Sequence, residues 1–379
     1  MYVGQMSNRS LAIAAAATLL LAATPASATA ATADPGIWQL KAATPISFTY
    51  WQGITSVPGS ADPALLFTGI SEGAYRTNSK LNQLAGNDAE IPASLTSSVG
   101  FNHIGDGSFD QNGGGRLLLP LECYYPGAGG NTCKIGAFGV ADPKTLAWRY
   151  YVKLDSAGIA KAMWVEMSPD GKLAWTSAGD NLLAFRSSDI SPANAAPGGA
   201  AIKPVRTLTG ALKGLGEVTG AVFWRGRLLV AGQQGKDFQI NSVDPSSGAV
   251  RIEAQQTLSG ESEGLDIVPA AGGLLQWQIM PSTSTPPATY AQSTLMSFLP
   301  LAPPQLKLSA RADGRKAIAV SVTTGTGQPI PHAAVTLGRV HGWSGRDGTV
   351  RLPVAMPAKR TKLSASLAGT RAGSLQLPR

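Results

Sequence analysis

Five short apolar runs, each led by a glycine- or proline-marked turn, recur along this chain of 379 residues. They begin at residues 64, 116, 172, 227 and 273, about fifty residues apart. The runs are Ala64–Thr68, Arg116–Pro120, Lys172–Thr176, Arg227–Ala231 and Gly273–Trp277. A hairpin repeated with this period is typical of a β-propeller or a related repeat array. Because a propeller brings one strand of every blade to a central axis, the repeat predicts where a site lies but names no substrate.

Each run has a strand candidate before it and one or two strand candidates after it. Asp-Pro and Pro-Asp-Gly turns separate these segments, and helical periodicity is nearly absent. Four strands per unit predict an all-β fold in which residues 37–299 form a five-bladed β-propeller. A sixth blade stays open as an alternative if a divergent unit lies in residues 69–100 or 187–215. The fifth unit lacks an outer strand, so the segment Ile46–Tyr50 is predicted to complete it and close the ring.

The chain changes character at residue 300. Residues 300–304 are rich in proline and predict a stiff linker. Residues 305–379 alternate apolar and polar positions between Asp-Gly turns, which predicts a small β-sandwich. From Leu306 to Arg379 there are twelve lysines and arginines against two aspartates. Such a charge favours anionic polymers or surfaces as partners, and without any nucleic-acid-binding motif it does not predict nucleic acid.

Residues 1–30 have the layout of a secretory signal peptide. Arg9 precedes the apolar run Leu11–Ala23, and Ala26-Ser27-Ala28 supplies the small residues of a cleavage site. The apolar run is short for a membrane span, and an uncleaved N-terminal anchor is the alternative. No later segment reaches transmembrane length. We therefore expect the mature protein to be secreted or associated with the cell envelope.

Cys123 and Cys133 are the two cysteines of the chain. In an exported protein, a close pair of this kind predicts one local disulfide bond. Two sulfurs without histidines nearby supply only half of a typical zinc site, so a metal is the weaker interpretation.

Polar residues on the first strand candidate of each unit predict a site at the ring axis. The candidates are Gln52, Asn102, His103, Asp106, Glu166, Glu217, Glu263 and Asp266. Converging carboxylates could bind Ca²⁺ through oxygen ligands, or act as general acid and base in glycoside or ester cleavage. The simpler alternative is that these side chains line a water-filled channel.

Two parts of the chain resemble known families. Through Ser168–Leu173 and Glu263–Asp266 the body resembles secreted bacterial propellers of the gluconolactonase-like and esterase-like phytase types. That resemblance implies a propeller, but neither family's complete metal-ligand set can be placed here, so no activity is carried over. Through Gly327–Leu337 and Gly345–Val350 the tail resembles bacterial Ig-like and carboxypeptidase-regulatory-like domains. It implies an accessory or adhesion module without catalytic residues.

Three interpretations of function follow. The leading one is a secreted, non-enzymatic binding protein, with a small-molecule or glycan ligand at the mouth of the propeller channel. Its cationic C-terminal domain would engage anionic cell-envelope material. The alternative is a secreted hydrolase of lactones, esters, phosphates or glycosides that uses the channel carboxylates, with Ca²⁺ as a candidate cofactor. A purely structural envelope protein is the third.

Overall fold

Strands make up most of the ordered elements in this protein. A computed structural model describes residues 37–69, 72–112, 114–125, 130–131, 135–155, 159, 161–282 and 292–377. Within these ranges the helical elements are α1 (Ala93–Ser98) and two short 3₁₀ turns, Ser187–Asp189 and Pro192–Asn194. No helix in them is long and apolar enough to cross a membrane. The all-β class predicted from the sequence is confirmed.

The strands are numbered in chain order. The first twelve are β1 (Trp38–Ile46), β2 (Gly53–Val57), β3 (Ala64–Thr68), β4 (Ala74–Thr77), β5 (Gln83–Asn87), β6 (His103–Ile104), β7 (Ser108–Asp110), β8 (Arg116–Glu122), β9 (Tyr124–Tyr125), β10 (Gly130–Asn131), β11 (Ala137–Ala141) and β12 (Trp148–Lys153). The next eleven are β13 (Glu166–Met167), β14 (Leu173–Ala178), β15 (Asn181–Arg186), β16 (Arg206–Leu208), β17 (Glu217–Trp224), β18 (Arg227–Gln234), β19 (Asp237–Val243), β20 (Val250–Thr257), β21 (Gly260–Ala270), β22 (Gly273–Pro281) and β23 (Ser293–Pro300). The last seven are β24 (Lys307–Ala312), β25 (Ile318–Thr323), β26 (Ala334–Leu337), β27 (Val340–Trp343), β28 (Thr349–Leu352), β29 (Thr361–Ser366) and β30 (Gly373–Leu377).

The ring part of the chain, residues 37–300, folds into five small antiparallel sheets beside the short hairpin β9–β10. Their strand orders are β2-β3-β4-β5, β6-β8-β11-β12 with β7 also on β8, β13-β14-β15-β16, β17-β18-β19-β20, and β21-β22-β23-β1. The five repeated apolar runs lie in the second strand of each sheet, β3, β8, β14, β18 and β22. Strands β3 and β8 are buried along their whole length, which explains why these segments are apolar at successive positions. The arrangement is β-propeller-like.

The first strands of the five sheets surround a common axis. Strands β2, β7, β13, β17 and β21 contact one another in that order, and β21 contacts β2 again. Residues 72–100 supply β4, β5 and α1, and residues 187–215 supply β16 and the two 3₁₀ turns. Within the described residues, neither segment forms a sheet of its own.

The N-terminal strand completes the fifth sheet. Strand β1 pairs with β23, from Trp38 opposite Pro300 to Ile46 opposite Ser293. The predicted pairing partner was right, but the predicted segment 46–50 was wrong: Ile46 is the last residue of the strand. The chain then turns towards β2, with the Tyr50 N–H donating to the Ser47 carbonyl at 3.0 Å.

The tail forms two further sheets, β24-β25-β28 and β27-β26-β29-β30. Its apolar residues, among them Ile318 and Leu363, belong to one buried cluster that continues into the ring through Trp224 and Leu274. The described residues of the ring and the tail accordingly belong to one compact unit. The tail is therefore packed on the ring.

Two predictions concern residues outside the described ranges. The signal peptide, residues 1–30, lies outside them. Cys123 is buried, but Cys133 lies outside them too, so the disulfide bond between these residues stays a prediction.

Candidate functional site

Polar residues around the ring axis, most of them on the inner strands, lie at three levels along that axis. Each inner strand passes through these levels in the same direction: β2, for example, runs from Gln52 through Ile54 to Ser56. We call the levels the His103 end (Gln52, His103, Glu122, Lys161, Glu217, Glu263), the Asp106 centre (Asp106 and its backbone partners), and the Arg346 end (Ser56, Glu166, Asp266, His332, Arg346).

At the Asp106 centre, one residue connects all five sheets. Asp106 Oδ1 accepts from the Ile54 N–H at 2.9 Å, and Oδ2 accepts from the N–H groups of Ala221 at 3.1 Å and Leu265 at 3.3 Å. The carbonyl of Asp106 accepts from the Val165 N–H at 2.9 Å. Ile54, Ala221 and Leu265 lie in the first, fourth and fifth sheets. Val165 directly precedes β13 of the third, and Asp106 itself lies between β6 and β7 of the second. Burial raises the pKa of Asp106, while the three N–H donors lower it.

The Asp106 centre fills the axis with hydrogen-bonded protein groups. Asp106 is fully buried, and Gly105 beside it approaches the backbone of Met163 so closely that a Cβ there would overlap the Met163 carbonyl. Because each carboxylate oxygen is used by backbone donors, we assign Asp106 to holding the sheets together.

At the Arg346 end, a tail side chain enters the ring. Arg346 Nη1 lies 2.6 Å from Glu166 Oε1, which also accepts from the Phe223 N–H at 3.1 Å. Glu166 Oε2 accepts from the Ser108 hydroxyl at 2.6 Å. The Arg346 N–H donates to Gln111 Oε1 at 3.1 Å. Both charged side chains are buried, and the ion pair joins the tail to three sheets of the ring.

Ser56, His332 and Asp266 at the same end have the residue types of a catalytic triad. Ser56 Oγ lies 3.0 Å from His332 Nε2. The Ser56 hydroxyl also forms a hydrogen bond with the Asp266 carboxylate. Burial lowers the pKa of His332 to about 3, with a further contribution from Arg346. An imidazole with so low a pKa is a poor general base near neutral pH, and Ser56 is buried. These residues therefore belong to the packing of the tail on the ring.

The His103 end gathers titratable side chains around one imidazole. Glu122 stands opposite His103 in the β6–β8 pairing, and His103 Nε2 lies 3.5 Å from Glu122 Oε1. With the Gln52 amide assigned from its hydrogen-bond partners, its nitrogen lies 2.9 Å from His103 Nε2 and 3.3 Å from Glu263 Oε2. His103, Glu122 and Glu263 are all buried.

The carboxyl groups of the His103 end differ in their environments. Burial raises the pKa of Glu122 to about 7, with Lys161 lowering it and Glu217 raising it. Burial also raises the pKa of Glu263, and the nearby carboxylates of Glu261 and Glu217 raise it further. Glu217 itself is exposed and lies 2.9 Å from Lys161 Nζ. The end thus holds protonatable buried carboxyls beside an exposed, ion-paired carboxylate.

Two partly exposed aromatic side chains, those of Tyr124 and Phe48, lie beside this end. Tyr124 is 43% exposed and its ring centroid lies 5.2 Å from that of His103. Asn102 positions Tyr124, because its amide exchanges two 2.7 Å hydrogen bonds with the Tyr124 backbone. Phe48 is 47% exposed and packs edge-on against Trp51, the residue before Gln52. Exposed rings beside polar groups are suited to stacking on a ligand.

The eight residues predicted for the axis therefore separate into three groups. Four of them meet at the His103 end: Gln52, His103, Glu217 and Glu263. Asn102 positions Tyr124 beside the His103 end, while Asp106, Glu166 and Asp266 are buried at the other two levels. Their roles in binding a ligand stay predictions.

The sequence prediction missed Glu122, Lys161, His332 and Arg346. Glu122 lies on β8, a second strand, and its position opposite His103 follows only from the register in which β6 pairs with β8. Arg346 and His332 were missed because the tail was treated as a separate module.

Metal binding was predicted only as an alternative use of the carboxylates. Within the described ranges, no group of three or more histidine, cysteine, aspartate or glutamate side chains is arranged to hold a metal ion. Ca²⁺ stays an untested prediction, and we derive no step through a metal.

No protein-family model and no curated protein matches this chain. Among solved structures, glutaminyl cyclase from Myxococcus xanthus matches at 9% identity and a TM-score of 0.41, covering 69% of this chain and 95% of that one. A luciferin-regenerating enzyme matches at 12% identity and a TM-score of 0.41, covering 65% and 77%. A nidogen/laminin complex matches at 13% identity and a TM-score of 0.38, covering 82% and 97%.

Proposed function

We propose that this protein is a secreted hydrolase that cleaves a glycosidic or lactone C–O bond by general acid–base catalysis at the His103 end. The observation that carries the proposal is the grouping of His103, Glu122 and Glu263 around Gln52, beside the Glu217–Lys161 ion pair. Of the other axis carboxylates, Asp106 accepts from backbone N–H groups and Glu166 pairs with Arg346. Asp266 is hydrogen-bonded by Ser56, and burial raises its pKa to about 6, but that residue is buried at the Arg346 end. Among the described axis residues, the His103 end is where buried carboxyls of raised pKa lie beside an exposed carboxylate.

The two acid–base roles follow from the environments of the carboxyl groups. Glu122, with a pKa of about 7, can hold a proton near neutral pH and donate it to the leaving oxygen. Glu217, which forms an ion pair with Lys161, accepts a proton from the attacking water. The water oxygen bonds to the carbon as the C–O bond breaks, so one water is added across that bond. Gln52 and His103 position the reacting groups.

Activity measurements on matched variants test this proposal. A panel of lactone, ester, phosphate and glycoside substrates is assayed with the wild type and with Glu122→Gln and Glu217→Gln. Losing a general acid or base lowers kcat about 10²- to 10⁴-fold. Glu90→Gln is the control, because burial also raises the pKa of Glu90 to about 7 at a position outside the axis. Lack of activity on every substrate class, or equal losses in all three variants, would overturn the proposal.

A second candidate, ligand binding without turnover, is favoured by the exposed rings of Tyr124 and Phe48. In that case Tyr124→Ala weakens binding of a sugar or lactone measured by calorimetry, whereas Glu122→Gln binds as the wild type does. The hydrolase predicts in addition that product accumulates with the wild type and not with Glu122→Gln.

We also propose a five-bladed propeller with an Ig-like tail. The five sheets, their cyclic contacts and the β1–β23 pairing support five blades, and the two tail sheets support a sandwich. We further propose that the protein is secreted and that Cys123 and Cys133 form a disulfide bond.

Mass spectrometry of a non-reduced digest tests the disulfide bond by detecting the cross-linked peptide. A free Cys123 thiol in protein purified from the periplasm or medium would contradict it.

A further inference from the structure

The sheet β24-β25-β28 of the tail has one buried face and one outer face. Ile318, Val320 and Val322 of β25 are fully buried, whereas the alternate residues of this strand are only partly covered. Strands β24 and β28 follow the same alternation, so their exposed residues share the outer face. We call this surface the outer tail face; its residues are Lys307, Ser309, Arg311, Ala319, Ser321, Thr323, Thr349 and Arg351.

The strand register arranges these residues in rows. Arg311 stands opposite Ala319, which stands opposite Arg351. Two inter-strand spacings put the Cα atoms of the two arginines about 10 Å apart across a small alanine. The next row contains only hydroxyl side chains, those of Ser309, Ser321 and Thr349. The outer tail face therefore alternates a cationic row with a row of hydrogen-bonding groups.

The charge at the Arg311 end of this face is largely uncompensated. Arg315 and Lys316, in the turn between β24 and β25, are exposed beside Arg311. Among the residues that the structure describes, none of these three forms an ion pair. Asp313 is the one acidic residue of the turn and pairs with Arg351 at 2.6 Å. Four cations thus meet one carboxylate.

The composition of the surface indicates what kind of anion fits it. The exposed large apolar side chains of the described chain are Phe48, Leu84, Tyr124, Val205, Val250, Ile252 and Leu301, all before residue 305. Since the tail offers no such side chain for insertion, a bilayer gains little there beyond charge attraction. A polymer that carries both anionic groups and hydroxyls matches the alternating rows better.

We propose that the outer tail face binds a linear anionic polysaccharide. Arg311, Arg315, Lys316 and Arg351 contact its carboxylate or phosphate groups, and the hydroxyls of Ser309 and Ser321 contact the sugar. The attraction is electrostatic and is screened by salt. This inference goes beyond the hydrolase proposed above and holds whether or not the His103 end is catalytic.

Binding of the full-length protein to labelled polygalacturonate tests the proposal, with fluorescence anisotropy read at about 20 mM and about 300 mM NaCl. The variant Arg311→Gln/Arg315→Gln/Lys316→Gln removes one unpaired cation of the outer tail face and two of the adjoining turn. The matched control, Lys359→Gln/Arg360→Gln/Lys362→Gln, removes three exposed cations associated with the other tail sheet. Both variants change the net charge equally, and circular dichroism verifies that each is folded.

We expect the face variant to raise the Kd about tenfold or more at low salt, and the control to change it less than about threefold. Binding should weaken at high salt and disappear with fully methyl-esterified polygalacturonate. A phosphodiester-linked glycan assayed in parallel distinguishes phosphate from carboxylate as the preferred anion. Equal losses in the two variants, no binding by the wild type, or tighter binding to anionic vesicles than to either polymer would overturn the proposal.

Discussion

Arg346 extends from the tail to the ring axis, where it lies 2.6 Å from Glu166. Replacing it by alanine leaves the Glu166 carboxylate buried with only the Ser108 hydroxyl and the Phe223 N–H as donors. Removing one partner of a buried ion pair costs about 3–5 kcal/mol, so we expect Arg346→Ala to lower the free energy of unfolding by that amount. Urea unfolding at pH 7 measures it. Arg351→Ala, which breaks an exposed pair, should cost about 1 kcal/mol or less; similar losses in both variants would contradict a buried pair.

Glu122 makes a pH-dependent contribution to stability. Its pKa is about 7 in the folded protein against about 4.3 in an unfolded chain. Between these values the folded state keeps a proton that the unfolded state releases. Glu122 therefore lowers the free energy of unfolding as the pH rises from about 4 to about 7, by a few kcal/mol in total.

The variant Glu122→Gln cannot titrate and should lose this slope. We expect the free energy of unfolding of the wild type, relative to that of the variant, to decrease from pH 5 to pH 8, as measured by urea unfolding. Asp142→Asn is the reference, because backbone N–H donors hold the pKa of Asp142 at about 2. Its effect should stay nearly constant over the same range. A constant difference for Glu122→Gln as well would show that Glu122 is ionised throughout.

At the scale of elements, the inner strand of the second sheet is divided into β6 and β7 by Gly105, Asp106 and Gly107. The division lets Asp106 point to the axis while both halves still pair with β8. Gly105→Ala places a methyl group against the Met163 carbonyl. We expect a loss of about 2–4 kcal/mol, measured by thermal or urea unfolding, because the second and third sheets must separate.

Gly198→Ala is the matched control for that substitution. A Cβ at Gly198 meets no atom within 4 Å, and its backbone is compatible with alanine, so the change should be neutral or slightly stabilising. An equal loss at both positions would mean that crowding at the axis does not explain the Gly105 effect.

Local patterns were sufficient to predict the elements with strong apolar periodicity. The runs beginning at Ala64, Arg116 and Gly273 were recognisable because these second strands are buried on both faces, which requires apolar residues at successive positions. The inner strands were harder to predict, because some are very short: β13 contains only Glu166 and Met167. The backbone groups of Met163 and Val165, just before β13, are hydrogen-bonded to Asp106 of the second sheet, and no local pattern contains such a contact between sheets.

At the scale of the whole molecule, the axis contacts depend on distant parts of the chain. Arg346 and Glu166 are 180 residues apart, and neither has a sequence neighbour that indicates the other. The charge asymmetry predicted a separate tail, and the strands after residue 306 do pair in sheets of their own. The docking of the tail at the ring axis was not predicted, because a single arginine in a Gly-Arg-Asp-Gly turn resembles any exposed turn residue. For the same reason the polar axis residues were predicted as one site, although they lie at three levels.

Closure of the ring rests on β1, the first described strand, pairing with β23 near the end of the ring. Gln39 of β1 stands opposite Leu299 of β23, and neither is fully buried. In the variant Gln39→Cys/Leu299→Cys, a disulfide bond would prevent the two strands from separating. Because the bond closes a long loop, we expect the oxidised form to be more stable than the reduced form by about 2–5 kcal/mol in urea unfolding. Equal stability of the two forms, with the bond verified by mass spectrometry, would contradict the prediction, because a bond that fits the β1–β23 pairing without strain must stabilise the folded state.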